Sequence, residues 1–229
     1  PACAPCSMSL KQLSARARMS RRQLKQSDAS LEMVLRRDLL GQIGSGLDRA
    51  AIQGAGSATE PEGILSLSNL TTVDVGPDGD NGGEVVFAAV AALIGAVEAN
   101  DIVGGNMAFV TNPKVKGQLL GKPIFSYGSV PMLAPMSDGS GDGMLANHRC
   151  AFTTNVPSTL EKGTSGAVLS AMIFGRWADL MIGSFGGIDV IVDQYSEAAS
   201  GNVAVIAHSE WDIAVRYEES FAAITDIDT

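Results

Sequence analysis

The sequence predicts an α+β fold, and three observations carry that reading. One long amphipathic helix stands near the N-terminus, and a second, strongly apolar helix follows further along. Short extended runs that do not alternate strictly with helices fill most of the rest.

Residues 8–19, "MSLKQLSARARM", alternate in part and read as an extended ribbon. In the segment after it, Leu31, Leu35, Leu39, Ile43 and Leu47 recur every four residues, with Val34, Leu40 and Ala51 widening the stripe. That spacing predicts one helix of about 26 residues, ~39 Å long, packed through those leucines and Ile43. Ser27 or Asp28 can cap its start and Gly54 can stop it. Gly41, Gly44 and Gly46 lie inside it, each costing up to ~1 kcal/mol relative to Ala. Glycines on a helix also let another backbone come close.

Residues 66–83 read as a strand and then the loop "GPDGDNGG". Asp78 and Asp80 in that loop do not meet the spacing of a calcium-binding helix–loop–helix, so a plain loop is expected. "EVVFAAVAALIGAVEAN" is apolar nearly all round and predicts a buried helix. "NMAFVTN" predicts a strand, and Pro113 opens a short helix at a position proline tolerates. "GSVPMLAP" and "CAFTTNVP" are extended runs with the loop "DGSGDG" between them. "SAMIFGRWADLMIGSFGGIDVIVD" holds two or three strands, and "NVAVIAHSEWDIAVRYEESFAAI" reads as strand, turn, strand.

The 229 residues are 45 % hydrophobic and only 18 % charged, enough apolar material for a core without disulfides or metals. The net charge of −9 is unevenly spread. Residues 1–49 hold nine Lys/Arg against four acids, and the remainder seven against twenty-one. Acids interleave with the basic residues and few aromatics accompany them, which argues against sequence-specific DNA reading. The split suits a solvated helix side or head-to-tail contacts between copies. No stretch reaches the ~20 apolar residues of a membrane helix. Cys3, Cys6 and Cys150 are an odd set, which argues against a secreted disulfide framework and for a reducing compartment.

Chemistry is sparse. "GAGSATEPEGIL", Gly54 to Leu65, is rich in glycine, but a phosphate-binding loop needs a strand before it and Gly-Lys-Ser/Thr at its end. Here a helix precedes and no Lys follows. A dinucleotide fingerprint fails for the same reason. Gly54, Gly56, Pro61 and Gly63 instead mark a bend where the chain passes between structural units. There is no G-x-S-x-G nucleophile elbow. His148 and His208 are the only histidines, and His208 sits beside Glu210 in an alternating strand. Cys3, Cys6, His148 and Cys150 lack the spacing of a compact zinc site. No catalytic residue, cofactor site, metal site or small-molecule substrate is expected.

The order of segments says more than any one motif. Ser20-Arg21, Gln26-Ser27, Asp48-Arg49, Gly54, Gly56, Pro61, Gly63 and Ile64 follow one another as in tailed-bacteriophage major capsid proteins. "FVTNPKVKGQLL", the strand pair of "MIFGRWADLMIGSFGGIDVIVD" and the closing "NVAVIAHSEWDIAVRYEESFAAI" extend the match over about residues 10–227. The chain resembles the Hong Kong 97 phage type of capsid subunit.

That resemblance implies a spine helix with a peripheral domain and an axial domain. Residues 1–26 would be the returning strand of the E-loop and its lead-in. Residues 27–56 would be the spine helix of the peripheral domain, 57–187 the axial domain, and 188–229 the rest of the peripheral domain. The family's N-terminal arm and outgoing E-loop half have no counterpart in these residues. The implied partners are further copies of the chain in pentamers and hexamers, with scaffolding, portal or decoration proteins, and packaged DNA met only non-specifically. The implied location is the virion shell, assembled in the host cytoplasm. Asn202 falls where some members carry the asparagine of an autocatalytic Lys–Asn crosslink. The assisting glutamate position resembles Ser209, with Glu210 next to it, and the lysine would precede Pro1, so no crosslink is expected. An encapsulin-type compartment shell has the same fold and is the alternative; a small hydrolase or metal-binding domain is a remoter one.

Overall fold

The computed structural model describes residues 7–22, 29–75, 81–102, 104–124, 128, 130–136 and 141–229, with backbone only for 29–32 and 198. Cys3, Cys6, the expected caps Ser27 and Asp28, and loop residues Asp78 and Asp80 lie outside the described residues, as does the Leu31 side chain. Among the described residues, 7–63 with 182–214 make one compact unit, and 64–181 with 215–229 make a second.

The first unit is a helix lying on a four-stranded sheet. β1 (Lys11–Ser20) pairs antiparallel with β10 (Asn202–Val215) over ten residues, from Lys11 opposite Trp211 to Ser20 opposite Asn202. β8 (Leu180–Ser184) and β9 (Asp189–Asp193) also pair with β10. Alternation along β1 turns Ala15 and Met19 inward and leaves Gln12, Ser14, Arg16 and Arg18 exposed.

α1 (Ala29–Gln53) covers the inward face. Leu39 and Ile43 are buried against Ala15, Met19, Val203, Val205 and Ala207, with Leu35 partly buried beside them. Leu47 is half-buried. Gly46 faces the Leu13 side chain, which a Cβ there would meet at 3.3 Å. Val34 and Leu40 depart from the expected stripe and are 53 % and 45 % exposed. At about 100° per residue they fall outside the arc centred on Leu39 that one sheet can cover.

The second unit is built on a seven-stranded sheet in the order β2-β11-β7-β3-β6-β5-β4. Its strands are β2 (Thr71–Thr72), β3 (Met107–Thr111), β4 (Leu133–Pro135), β5 (Gly143–Leu145), β6 (His148–Phe152), β7 (Leu169–Arg176) and β11 (Phe221–Asp228). β11 runs antiparallel to β7 and parallel to β2; β3 runs antiparallel to β7 and parallel to β6. β7 is buried along nearly its whole length on both faces, which explains why its sequence does not alternate.

α2 (Phe87–Glu98) packs Ala89, Val90, Leu93 and Val97 inward. The expectation of a helix buried all round is corrected, since Ala91 and Ala92 face outward. Alanine is apolar but small, so its exposure costs little. α3 (Pro113–Gly121) starts at Asn112, whose side chain accepts from the Val115 N–H at 2.9 Å. The strand expected after residue 66 is only the two-residue β2, preceded by a 3₁₀ turn at Ile64–Ser66.

The Phe-Gly-x-Trp stretch has a packing role. A Cβ at Gly175 would lie 2.5 Å from the Ser220 carbonyl oxygen, so only glycine lets β11 approach here. The Trp177 Nε1–H donates to the Ala108 carbonyl at 2.9 Å, and its ring meets Phe221 edge-on at 5.5 Å. Buried Asp179 accepts from Arg176 Nε at 2.7 Å and Ser220 Oγ at 2.6 Å. Burial opposes its ionisation, but those hydrogen bonds outweigh it and hold the carboxyl below its ordinary range.

The two units differ from the expected domain limits at particular places. The change of unit falls after Gly63 and after Met181, and residues 215–229 join the second unit. β11 is the cause, because its partners are β7 and β2.

Adjacent residues on α1 test this packing. Leu39→Ala is expected to lower the unfolding free energy by about 2–5 kcal/mol, and Leu40→Ala to change it by less than about 0.5 kcal/mol. Equal losses in denaturant melts would contradict the assigned helix face.

Candidate functional site

The glycine-rich bend forms a closed loop at the end of α1. Gly54 N–H donates to the Ala50 carbonyl at 2.9 Å, Gly56 N–H to the Pro61 carbonyl at 3.1 Å, and Gly63 N–H to the Gly54 carbonyl at 3.0 Å. Ala55 and Glu62 form an antiparallel bridge. Gly56 has φ +65°, the left-handed region. A Cβ on Gly54 or Gly63 would lie 2.6 or 2.7 Å from the Ala50 carbonyl oxygen. Lys11 Nζ reaches the Ser57 and Glu60 carbonyls at 3.0 and 2.9 Å, tying the loop to the start of β1. The loop's hydrogen bonds run within itself, to the end of α1 and to Lys11.

The histidines and the cysteine form no reactive set. His208 Nδ1 lies 2.9 Å from Gln12 Nε2 and 2.8 Å from Ser14 Oγ, so an amide and a hydroxyl compete for one ring nitrogen. His148 sits edge-on to Phe174 at 5.1 Å and to Phe109 at 6.2 Å. Cys150 is buried, and burial first, then the Asp142 charge, push its thiol up to about 12. A thiol held neutral is neither nucleophile nor ready metal ligand. Among the described residues no three His, Cys, Asp or Glu side chains converge as a metal site would require. An open groove of about 470 Å³ is lined by Val85, Val86, Phe87, Ile124 and Met132, with Lys122 as its charged residue. Lys122 is committed to an ion pair with Glu84 at 2.5 Å.

Asn202 opens β10 opposite Ser20. Alternation puts Ser209 on the other face of that strand, where its hydroxyl donates to the Leu13 carbonyl at 3.3 Å. Glu210 shares the Asn202 face but lies eight residues along, roughly 26 Å away. The structure therefore brings no acid from this pair to Asn202.

What the first unit offers instead is apolar surface. Met33, Val34 and Leu40 stand exposed on α1, and Ile182, Phe185, Ile188, Ile191 and Val192 on β8, β9 and their connection. Where such side chains adjoin one another they make a candidate surface for contact with other macromolecules. Which residues stand exposed was not legible in the sequence, because the same residues read equally well as core.

The family model described as "Phage capsid family" matches residues 2–226. The chain belongs to the phage capsid family. The major capsid protein of Halomonas phage phiHAP-1 is 23 % identical over 215 residues, covering 94 % of this chain and 32 % of that relative. The chain thus spans about a third of the length of this curated relative. Among solved structures, the capsid of an empty GTA particle superposes with a TM-score of 0.69 at 19 % identity, covering 96 % of this chain and 74 % of that one. A chain from Gordonia phage Cozz gives 0.67 at 15 % identity, covering 95 % and 70 %. The SrpI encapsulin of Synechococcus elongatus PCC 7942 gives 0.67 at 13 % identity, covering 96 % and 74 %. The fold is that of the Hong Kong 97 phage-type capsid subunit.

The loop geometry and the buried Cys150 of this capsid-family chain each give a prediction. Gly54→Ala is expected to lower the melting temperature, and Gly41→Ala, where a Cβ meets nothing within 4 Å, to hold or raise it. The reverse order in thermal melts would contradict the loop geometry. Cys150 should resist thiol reagents at pH 8 until the chain unfolds. Its folded form keeps a proton that the unfolded thiol loses, so its contribution to stability is lost as pH climbs from 9.0 toward about 12. Stability that instead rises across that window in the parent chain relative to Cys150→Ala would contradict the assignment.

Proposed function

We propose that the chain is the shell-forming region of a tailed-phage or prophage major capsid subunit. The family match from residue 2 to residue 226 is the observation that carries this reading. The named function of the Halomonas phage relative agrees with it. The chain works by assembly, not by turnover, and it takes its place in the virion shell. Its principal partner is a further copy of itself. Scaffolding, portal and decoration proteins are secondary partners, and packaged DNA is met without sequence recognition.

In this reading α1 is the spine helix, and the loop from Gly54 to Gly63 fixes where the peripheral domain ends. β1 is the returning strand of the E-loop. Asn202 serves as the first residue of β10.

The likeness to the SrpI encapsulin supports a second reading, a protein compartment that holds cargo other than DNA. Fold alone does not separate the two, since the TM-scores match. The family model and the Halomonas phage relative favour the phage shell.

The test is to express the complete coding region, with whatever precedes Pro1, and examine the product by electron microscopy and sedimentation. Closed shells are expected, filled with nuclease-protected DNA when the neighbouring phage genes are present. A product that stays monomeric at high concentration would overturn the proposal. Shells that hold an enzyme and no DNA would establish the compartment reading in its place.

A further inference from the structure

The outer side of α1 carries a pattern that is complementary to itself. Val34, Arg37, Gly41, Gly44 and Asp48 follow one another at spacings of three, four, three and four. With 3.6 residues per turn they make one nearly straight line along the helix. That line lies opposite Leu39 and Ile43, which face the sheet. Val34 is 53 % exposed, and Met33 and Leu40 on its flank are 68 % and 45 % exposed. A Cβ at Gly41 or Gly44 would meet nothing within 4 Å. Arg37 and Asp48 are exposed, and among the described residues neither has an ion-pair partner.

We propose that this line is a two-fold contact with α1 of a second copy, the helices running antiparallel. Four of them, Arg37, Gly41, Gly44 and Asp48, are symmetric about the midpoint of Gln42 and Ile43. A two-fold axis there sets Gly41 over the second copy's Gly44. It also sets Arg37 opposite the second copy's Asp48, and by symmetry this pair forms twice. A parallel arrangement in register would stack Arg37 on Arg37 and Asp48 on Asp48, so charge selects the antiparallel one. The glycines remove the side chains that hold ordinary helix pairs 8–10 Å apart. Leu40 then loses exposure at the margin of the crossing. Arg36 and Arg49 lie about 110° to either side of the line and stay out of it.

A single helix crossing buries less than the ~1,200 Å² of a stable dimer interface. The contact therefore holds where many copies repeat it, and an isologous patch fits the two-fold axes of a closed shell. The inference rests on the shell reading and adds which surface meets at those axes.

The test uses the complete, assembling protein. Arg37→Asp and Asp48→Arg are made singly and together, with Gly41→Cys combined with Gly44→Cys in a further variant. Each single charge reversal is expected to lower shell yield at least about tenfold, since each places like charges opposite one another. The double reversal is expected to restore it. All charge variants should melt with the parent, because both residues are exposed. Oxidising shells of the paired-cysteine variant should give covalent dimers that the parent chain does not form. Parent shells alongside single reversals of undiminished yield would overturn this contact alone. So would lost assembly that the double reversal does not rescue, which would show that another partner covers the face. A parent protein that forms no shells would overturn the shell reading and this contact with it.

Discussion

One helix lying on one small sheet governs the first unit. α1 can turn a single stripe toward β1 and β10, and Leu39 and Ile43 fill it. Burying such a side chain fully contributes about 1.5–3 kcal/mol. Gly41, Gly44 and Gly46 each cost the helix up to about 1 kcal/mol relative to Ala, so three of them offset one or two of the buried side chains. Gly46 is explained inside the chain by the close approach of Leu13. At Gly41 and Gly44 an added Cβ would meet nothing within 4 Å among the described residues. The proposed helix contact accounts for this cost on the open side, next to exposed Val34 and Leu40.

The second unit solves a different problem. Its sheet sets β7 beside β11, both buried along nearly their whole length, and the close spacing there depends on small residues such as Gly175. Its polar groups in that region are turned to structure. Asp179 is committed to Arg176 and Ser220, and Trp177 to the Ala108 carbonyl. Cys150 is held neutral by burial. The residue types that would serve catalysis elsewhere are here tied into packing, which agrees with membership of a structural protein family.

Local signals were the legible ones. The four-residue recurrence from Leu35 to Leu47 and the glycine at position 54 placed α1, which ends at Gln53. Asn112 and Pro113 placed the start of α3, and the three strands between Leu169 and Asp193 were readable as short extended runs. Pairing across long sequence separations was not readable. β11 joins β7 and β2, and no local pattern in "FAAITDID" says so. Exposure was ambiguous too. Val34 and Leu40 look like core residues in sequence, because an interface side chain and a core side chain obey the same apolar preference. The bend at Gly54–Gly63 was legible as a boundary, but its hydrogen-bonded closure needed the Pro61 and Gly54 carbonyls in place.

On the proposed reading, neighbouring copies complete the subunit, so its exposed apolar side chains should be covered in the particle. A cryo-electron microscopy reconstruction of the assembled product tests this most directly. The account predicts a closed shell in which neighbouring chains cover Met33, Val34, Leu40, Phe185 and Ile191. A closed particle in which those side chains still face solvent would contradict it.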